Sequence, residues 1–165
     1  VLEQGMEPLF IDMRGAHWTA ANEYSPQHDA RRFEDWEFPY ALLMGAKAAV
    51  EYTLNIGIDN IAERNAILCK RIRNEVAMIP GIKILDIGKK LSSIITLKIP
   101  GWQPHEFMEA LRKKNINTSI SHREYGLIDF NNKGVDWALR VSPHYFNTEE
   151  EIEILIQALK DTKAS

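Results

Sequence analysis

The stretch Arg140-Val-Ser-Pro-His-Tyr-Phe-Asn-Thr148-Glu-Glu-Glu-Ile152 constrains this chain most, because it carries a short strand through a turn into a marked helix start. From Trp137 to Ser142, the residues Trp137, Leu139 and Val141 alternate with Ala138, Arg140 and Ser142. A period of two therefore puts Arg140 on the face opposite the bulky apolar side chains, where a guanidinium is free to meet a ligand. Thr148 followed by Glu151 fits a capping box, the hydroxyl accepting from an early helix N–H and the carboxylate reaching back to the cap's own N–H. Ile152, Leu155, Ile156 and Leu159 then form one apolar stripe.

Upstream of this stretch the periodicity changes twice. Residues 1 to 37 show little pattern but hold many site-forming side chains, among them Asp12, Arg14, His17, Trp18, His28 and Glu34, and they read as a long functional loop. From Pro39 to about Ile56 the spacing is helical, with Ala41, Gly45, Ala48, Ala49 and Tyr52 small enough for close packing and Gly57 as the stop. A second helix is expected from Asp59 to Ile79, ended by Pro80-Gly81. Ile82 to Leu85, Ser93 to Ile99 and Ile116 to Ile120 read as strands, with a helix from Pro104 to Asn115 between the last two. A polar loop, Ser121 to Val135, leads into the Arg140 strand. This order describes an α+β fold in which helices pack on one face of a small, mainly antiparallel sheet.

Composition removes several classes of function. At 165 residues, with 45% hydrophobic and 26% charged residues, the chain has material for one ordinary core. A net charge of -3 without a dense run of Lys and Arg argues against nucleic-acid binding. The pairs Arg31-Arg32, Lys89-Lys90 and Lys113-Lys114 read as solvated surface. No apolar run reaches the roughly 18 to 20 residues that span a bilayer, so no membrane partner is expected and a cytoplasmic location is the default. One cysteine, Cys69, leaves no internal disulfide or multi-cysteine metal site. It falls beside Leu68 on a helix, as a small buried hydrophobe does. The five histidines show no His-Glu-x-x-His spacing, so no metal site is expected, and Ser119 and Ser121 lack the base and orienting group of a hydrolase triad. The chain opens at Val1 without a methionine, in a segment of weak periodicity, and reads as the continuation of a longer protein.

Arg32-Phe33-Glu34 before a small-residue helix, Ile79-Pro80-Gly81-Ile82 before a strand, and the Arg140 to Ile152 stretch before the last helix together resemble the C-terminal part of class V aminotransferases. These are fold type I pyridoxal-phosphate enzymes that include cysteine desulfurases, selenocysteine lyases and isopenicillin N epimerase-like proteins. The resemblance runs from the first loop to Lys163. It implies that residues 1–37 are the tail of the large cofactor domain with an active-site loop, and that residues 38–165 are the C-terminal small domain with its leading helices.

The resemblance further implies an amino-acid substrate, a homodimer, and a Schiff-base lysine upstream of the aligned region. The complete protein would then hold pyridoxal phosphate, while the isolated chain would have no catalytic residue, would not bind the cofactor and would be inactive. Lys47, mid-helix, reads as solvated surface. Arg140 matches the family arginine that holds the substrate α-carboxylate, a role suited to a planar guanidinium that donates two parallel hydrogen bonds. Its alternative is an ion pair with an acidic residue. Arg14, His17 and Trp18 are candidates for an active site or dimer interface, and His122 and Arg123 for the substrate entrance. His144 reads as a turn residue beside Arg140 rather than a general base.

Two departures separate the sequence from the desulfurase pattern. The loop Ser121 to Phe130 has no cysteine where desulfurases carry their nucleophile, which favours an epimerase-like or aminotransferase-like reaction over a mobile-cysteine desulfurase. Asp35-Trp36-Glu37 stands where many relatives have a glycine-threonine pair that reaches the partner's cofactor phosphate. Transamination, epimerisation and C–S lysis all remain compatible with the sequence. The rival reading is a stand-alone α+β binding or dimerisation domain without chemistry.

Overall fold

The computed structural model describes residues 5–161, so Val1 and Lys163 lie outside the described residues. The described residues divide into two compact units, one up to Thr53 and the other from Leu54.

In the first unit, β1 (Ala16–Ala20) and β2 (Glu23–Pro26) form an antiparallel hairpin, so the expectation of an irregular run to residue 37 is corrected there. His17 pairs with Ser25 and Trp18 with Tyr24, on strands exposed almost throughout. No apolar face is buried, which is why no alternation signalled these strands. A 3-10 turn follows at Ala30–Phe33, capped by Asp29, whose Oδ1 accepts from the Arg31 backbone N–H at 3.0 Å.

Arg31 is surface, as its sequence reading has it, but Arg32 is only 8% exposed and corrects that reading. Its Nε donates to the Gln27 carbonyl at 2.8 Å and its Nη1 to the Met6 carbonyl at 3.1 Å. A guanidinium with five N–H donors satisfies loop carbonyls that have no secondary-structure partner. Gly15 packs against this turn so closely that a Cβ would stand 2.8 Å from the Arg32 carbonyl oxygen, which excludes any larger residue without a shift. The helix α1 (Tyr40–Ile56) then begins, and its small residues do not serve close packing among the described residues: it has no buried residue, and a Cβ on Gly45 would meet nothing within 4 Å.

The second unit is a four-stranded antiparallel sheet in the order β3-β4-β6-β5, with β3 at Lys83–Ile84, β4 at Ile95–Lys98, β5 at Ser119–His122 and β6 at Trp137–Val141. The helices α2 (Ile58–Ala77), α3 (Pro104–Arg112) and α5 (Glu149–Asp161) supply Leu68, Ile72, Phe107, Leu155 and Leu159 to one core with Ile95, Leu97, Leu139 and Val141 from the sheet. The alternation in β6 thus has its expected outcome, with Leu139 and Val141 facing the helices. The polar loop expected between Ser121 and Val135 instead contains a 3-10 turn at Arg123–Tyr125 and a short helix α4 (Leu127–Lys133). Phe130 of α4 packs with Leu85, Val135 and Ala138 in a small second cluster. By the pleat, Ala138 shares a face with Arg140, so this cluster covers one corner of the face that α2, α3 and α5 leave open. The fold is α+β, and no described helix is long and apolar enough to cross a membrane.

The predicted capping box closes the start of α5. Glu151 N–H donates to Thr148 Oγ1 at 3.2 Å, and Thr148 N–H donates to Glu151 Oε2 at 3.0 Å. Beside it, Arg64 of α2 reaches the Glu149 carboxylate and also donates to the Asn147 carbonyl at 2.9 Å. The Arg64 hydrogen bond, helped by the Glu149 backbone N–H and the nearby charges of Arg64 and Arg71, holds the Glu149 carboxyl down to about 2 from its ordinary 4.5. Because the folded value is the depressed one, this stabilisation is full above the ordinary value and fades as pH falls through the folded one. Thermal melts of the chain between pH 5 and pH 2.5 are expected to show a smaller loss of stability for Glu149→Gln than for the native sequence; equal losses would contradict the assignment.

Candidate functional site

The chain connects β4 through α3 to β5 and only then inserts β6 between them, so Arg140 stands mid-sheet. Its cross-strand neighbours are Thr96 on β4 and Ser119 on β5. Directly opposed residues of antiparallel strands lie within side-chain reach, so Arg140 projects between two hydroxyl-bearing residues. Its side chain is exposed, and no hydrogen bond or ion pair ties it to another described residue. The face offers a fixed positive charge, no competing carboxylate at the two opposed positions, and a Ser119 hydroxyl that bonds no other described residue. That arrangement suits an anion with two coplanar oxygens.

Thr96 is held by a clamp that sequence reasoning did not find. Asp86 Oδ1 accepts from the Thr96 backbone N–H at 2.8 Å and from its Oγ1 at 2.7 Å, while Asp86 Oδ2 accepts from Arg73 Nε at 2.9 Å. The side chains of Arg73 and Asp86 are 15% and 7% exposed, so the pair is largely out of water. Arg73 Nη2 also donates to the carbonyls of Ser92, at 2.9 Å, and Ile94, at 3.2 Å. The only trace of this in the sequence is an aspartate between Leu85 and Ile87, an unusual neighbour for two apolar residues.

The other candidates are dispersed. His122 meets the ring of Tyr125 edge-on at 5.8 Å, and Arg123 Nε donates to Asn131 Oδ1 at 2.7 Å, tying the 3-10 turn to α4. His144 is a turn residue: its N–H donates to Asn147 Oδ1 at 2.8 Å and its ring stacks on Phe146 at 5.1 Å. In the first unit Arg14 lies over the Trp36 ring at 5.6 Å and 4.0 Å from Glu34, apart from the His17–Trp18 pair on the hairpin. Being consecutive in β1, His17 and Trp18 face opposite sides of that hairpin. Asp12 staples the loop, accepting from the Trp36 N–H at 2.9 Å and the Met13 N–H at 2.6 Å, and these bonds lower its pKa. Cys69 is 2% exposed and burial pushes its thiol pKa up, as befits a core residue.

The family profile described as Aminotransferase class-V matches residues 2–155, and the chain belongs to that family. Among curated relatives it is 29% identical over 136 residues to a probable cysteine desulfurase of Xylella fastidiosa (strain Temecula1), covering 82% of this chain and 32% of that one. It is 29% identical over 140 residues to a probable cysteine desulfurase of Ureaplasma parvum, covering 85% of this chain and 34% of the relative. The chain thus spans between about a fifth and two fifths of the length of the curated relatives it matches. In fold it superposes with the apo cysteine desulfurase of Thermococcus onnurineus NA1 at a TM-score of 0.80 and 20% identity, over 96% of this chain and 40% of that one. A cystine C–S lyase, C-DES, crystallised with its product cysteine persulfide, matches at a TM-score of 0.68 and 18% identity over 93% of this chain and 38% of its own.

Pyridoxal phosphate requires a lysine amine, a partner for its ring nitrogen and phosphate ligands gathered in one cavity. Lys47 is exposed on α1 and pairs with Glu51 at 3.6 Å, and Lys114, which lines a groove, is tied to Asp161 at 2.7 Å. Mixing the 165-residue chain with pyridoxal phosphate and reducing with borohydride is expected to leave the intact mass unchanged. A stoichiometric adduct on one lysine would show that the chain holds its own cofactor site.

Proposed function

We propose that this chain is the C-terminal, substrate-holding part of a pyridoxal-phosphate-dependent enzyme that cleaves the C–S bond of a sulfur-bearing amino acid, with the substrate α-carboxylate on Arg140. The observation that carries the reading is a guanidinium held mid-sheet, opposed by Thr96 and Ser119, with no partner of its own among the described residues. Two parallel N–H donors fix both position and tilt of a carboxylate, which is what a reaction at the adjacent α-carbon needs. The remaining active-site groups, the lysine and the cofactor ligands, belong to the rest of the complete protein, which we read as a cytoplasmic homodimer.

Sulfur chemistry is favoured over transamination or epimerisation by the relatives' names, while the absence of a thiol from residues 121–136 limits its form. Cys69 is buried in the core of the other sheet face and cannot accept sulfur there. The released sulfur therefore leaves on the small-molecule product, as a persulfide when the substrate is a disulfide, in the manner that the C-DES complex illustrates for that enzyme.

The complete reading frame, expressed and loaded with cofactor, tests this with cysteine and cystine as substrates. The expected result is sulfide from cysteine and a small-molecule persulfide from cystine, with the protein mass unchanged. Inversion at the α-carbon with sulfur retained, or an oxo acid that keeps its sulfur, would replace this reading with the epimerase-like or aminotransferase one.

A further inference from the structure

A groove of about 410 Å³ runs between α3 and β5, wholly within the unit from Leu54 onward. Met108 and Ile120 give it apolar walls, and His105, Arg112 and His122 line it with basic groups. No carboxylate of the described residues lines it. None of these three bases forms an ion pair among the described residues.

Among the described residues, the strand bordering this groove is the open edge of the sheet. Ser119 is opposed to Arg140 and Ser121 to Ala138, and the Arg123 N–H donates to the Asp136 carbonyl at 2.9 Å. In an antiparallel pair, hydrogen-bonded and non-bonded positions alternate. Position 123 being bonded, so are 121 and 119, and the N–H and C=O groups of Ile120 and His122 turn outward. An unpaired edge of this kind is a template for one more strand.

We propose that this groove docks an extended acidic segment of a partner protein, which adds to β5 as a fifth strand. Its main chain pairs with Ile120 and His122, and every second side chain faces α3, where acidic ones meet Arg112, His105 and His122. The spacing of charge favours a strand over a small anion. His105 and Arg112 are seven residues apart on α3, roughly 10 Å along the helix at 1.5 Å per residue. One phosphate does not bridge that distance, whereas an extended chain covers it in about three residues.

Fluorescence anisotropy of the full 165-residue chain with a fluorescein-labelled peptide of alternating glutamate and valine tests the proposal, a lysine–valine peptide serving as control. Saturable binding of the acidic peptide alone is expected, weakened on the order of tenfold by Arg112→Glu, a charge reversal at the groove's rim. His122→Pro separates main-chain docking from charge, since it removes an outward N–H at a position whose φ of -90° proline approaches. It is expected to weaken binding well beyond His122→Ala; circular dichroism checks that it folds, and Arg112→Glu decides the matter alone if it does not. Equal binding of both peptides, or none, overturns the proposal. Complete displacement by millimolar inorganic phosphate would mark a small-anion site instead, and self-association of the chain abolished by Arg112→Glu would mark a second copy as the occupant.

Discussion

Replacing Arg140 with alanine in the complete protein is expected to lower kcat/KM for the amino-acid substrate on the order of 100-fold. Hydrogen bonds between a charged donor and acceptor contribute about 1.5 to 3 kcal/mol each, and the two parallel bonds of a guanidinium are lost together. About 2.7 kcal/mol, just under the low end of that sum, corresponds to two powers of ten. Arg140→Lys keeps the charge but loses the planar fork, so a fall of about tenfold is expected, carried partly by kcat because the tilt of the substrate relaxes. Stability supplies the control. Arg140 is exposed and unpartnered among the described residues, so the thermal midpoint of the 165-residue chain is expected to move little on either substitution. An unchanged kcat/KM, or a loss matched by unfolding, would remove Arg140 from the carboxylate role.

The elements legible in the sequence are those whose signals are local. The start of α5 declares itself through Thr148 and Glu151, and its buried face through Ile152, Leu155, Ile156 and Leu159, all within a dozen residues. β6 is legible because its two faces differ so strongly in polarity. Where the reading slipped, the deciding partner lies elsewhere. Ile116 to Ile120 resembles a strand by composition, yet the Ile116 N–H donates to the Leu111 carbonyl at 3.0 Å and Asn115 takes φ 60°. That is a Schellman-type closure of α3, so Ile116 ends a helix and β5 begins three residues later than expected, at Ser119.

α4 spans only seven residues between Gly126 and the left-handed Gly134, too short to display a period. Arg32 and Asp86 were invisible as structural residues because nothing in an arginine pair or an isolated aspartate names the carbonyls and hydroxyls it will meet. Of the site itself, Arg140 and its exposed face follow from alternation. Its neighbours Thr96 and Ser119 follow only from strand order, which inserts β6 between two strands that precede it in the chain.

Asp86→Ala is expected to destabilise the unit from Leu54 onward by about 3 kcal/mol, the low end for breaking a buried ion pair by removing one partner. Three donors lose their acceptor at once: Arg73 Nε, the Thr96 N–H and the Thr96 hydroxyl. Arg73 is the costliest of them, because its charge remains 15% exposed with only carbonyls to face. At a few degrees per kcal/mol for a domain of this size, the thermal midpoint should fall by roughly 10 °C. Thr96→Val removes one donor while keeping the shape, so a loss of about 1 kcal/mol is expected. Adding Thr96→Val to Asp86→Ala should cost less than the sum of the two, because the hydroxyl is already without its acceptor. The clamp also fixes the strand position opposite Arg140, so Asp86→Ala in the complete protein should raise KM by a smaller factor than Arg140→Ala. Equal midpoints for native and Asp86→Ala chains would show that water satisfies these donors and that the clamp holds neither the fold nor the site.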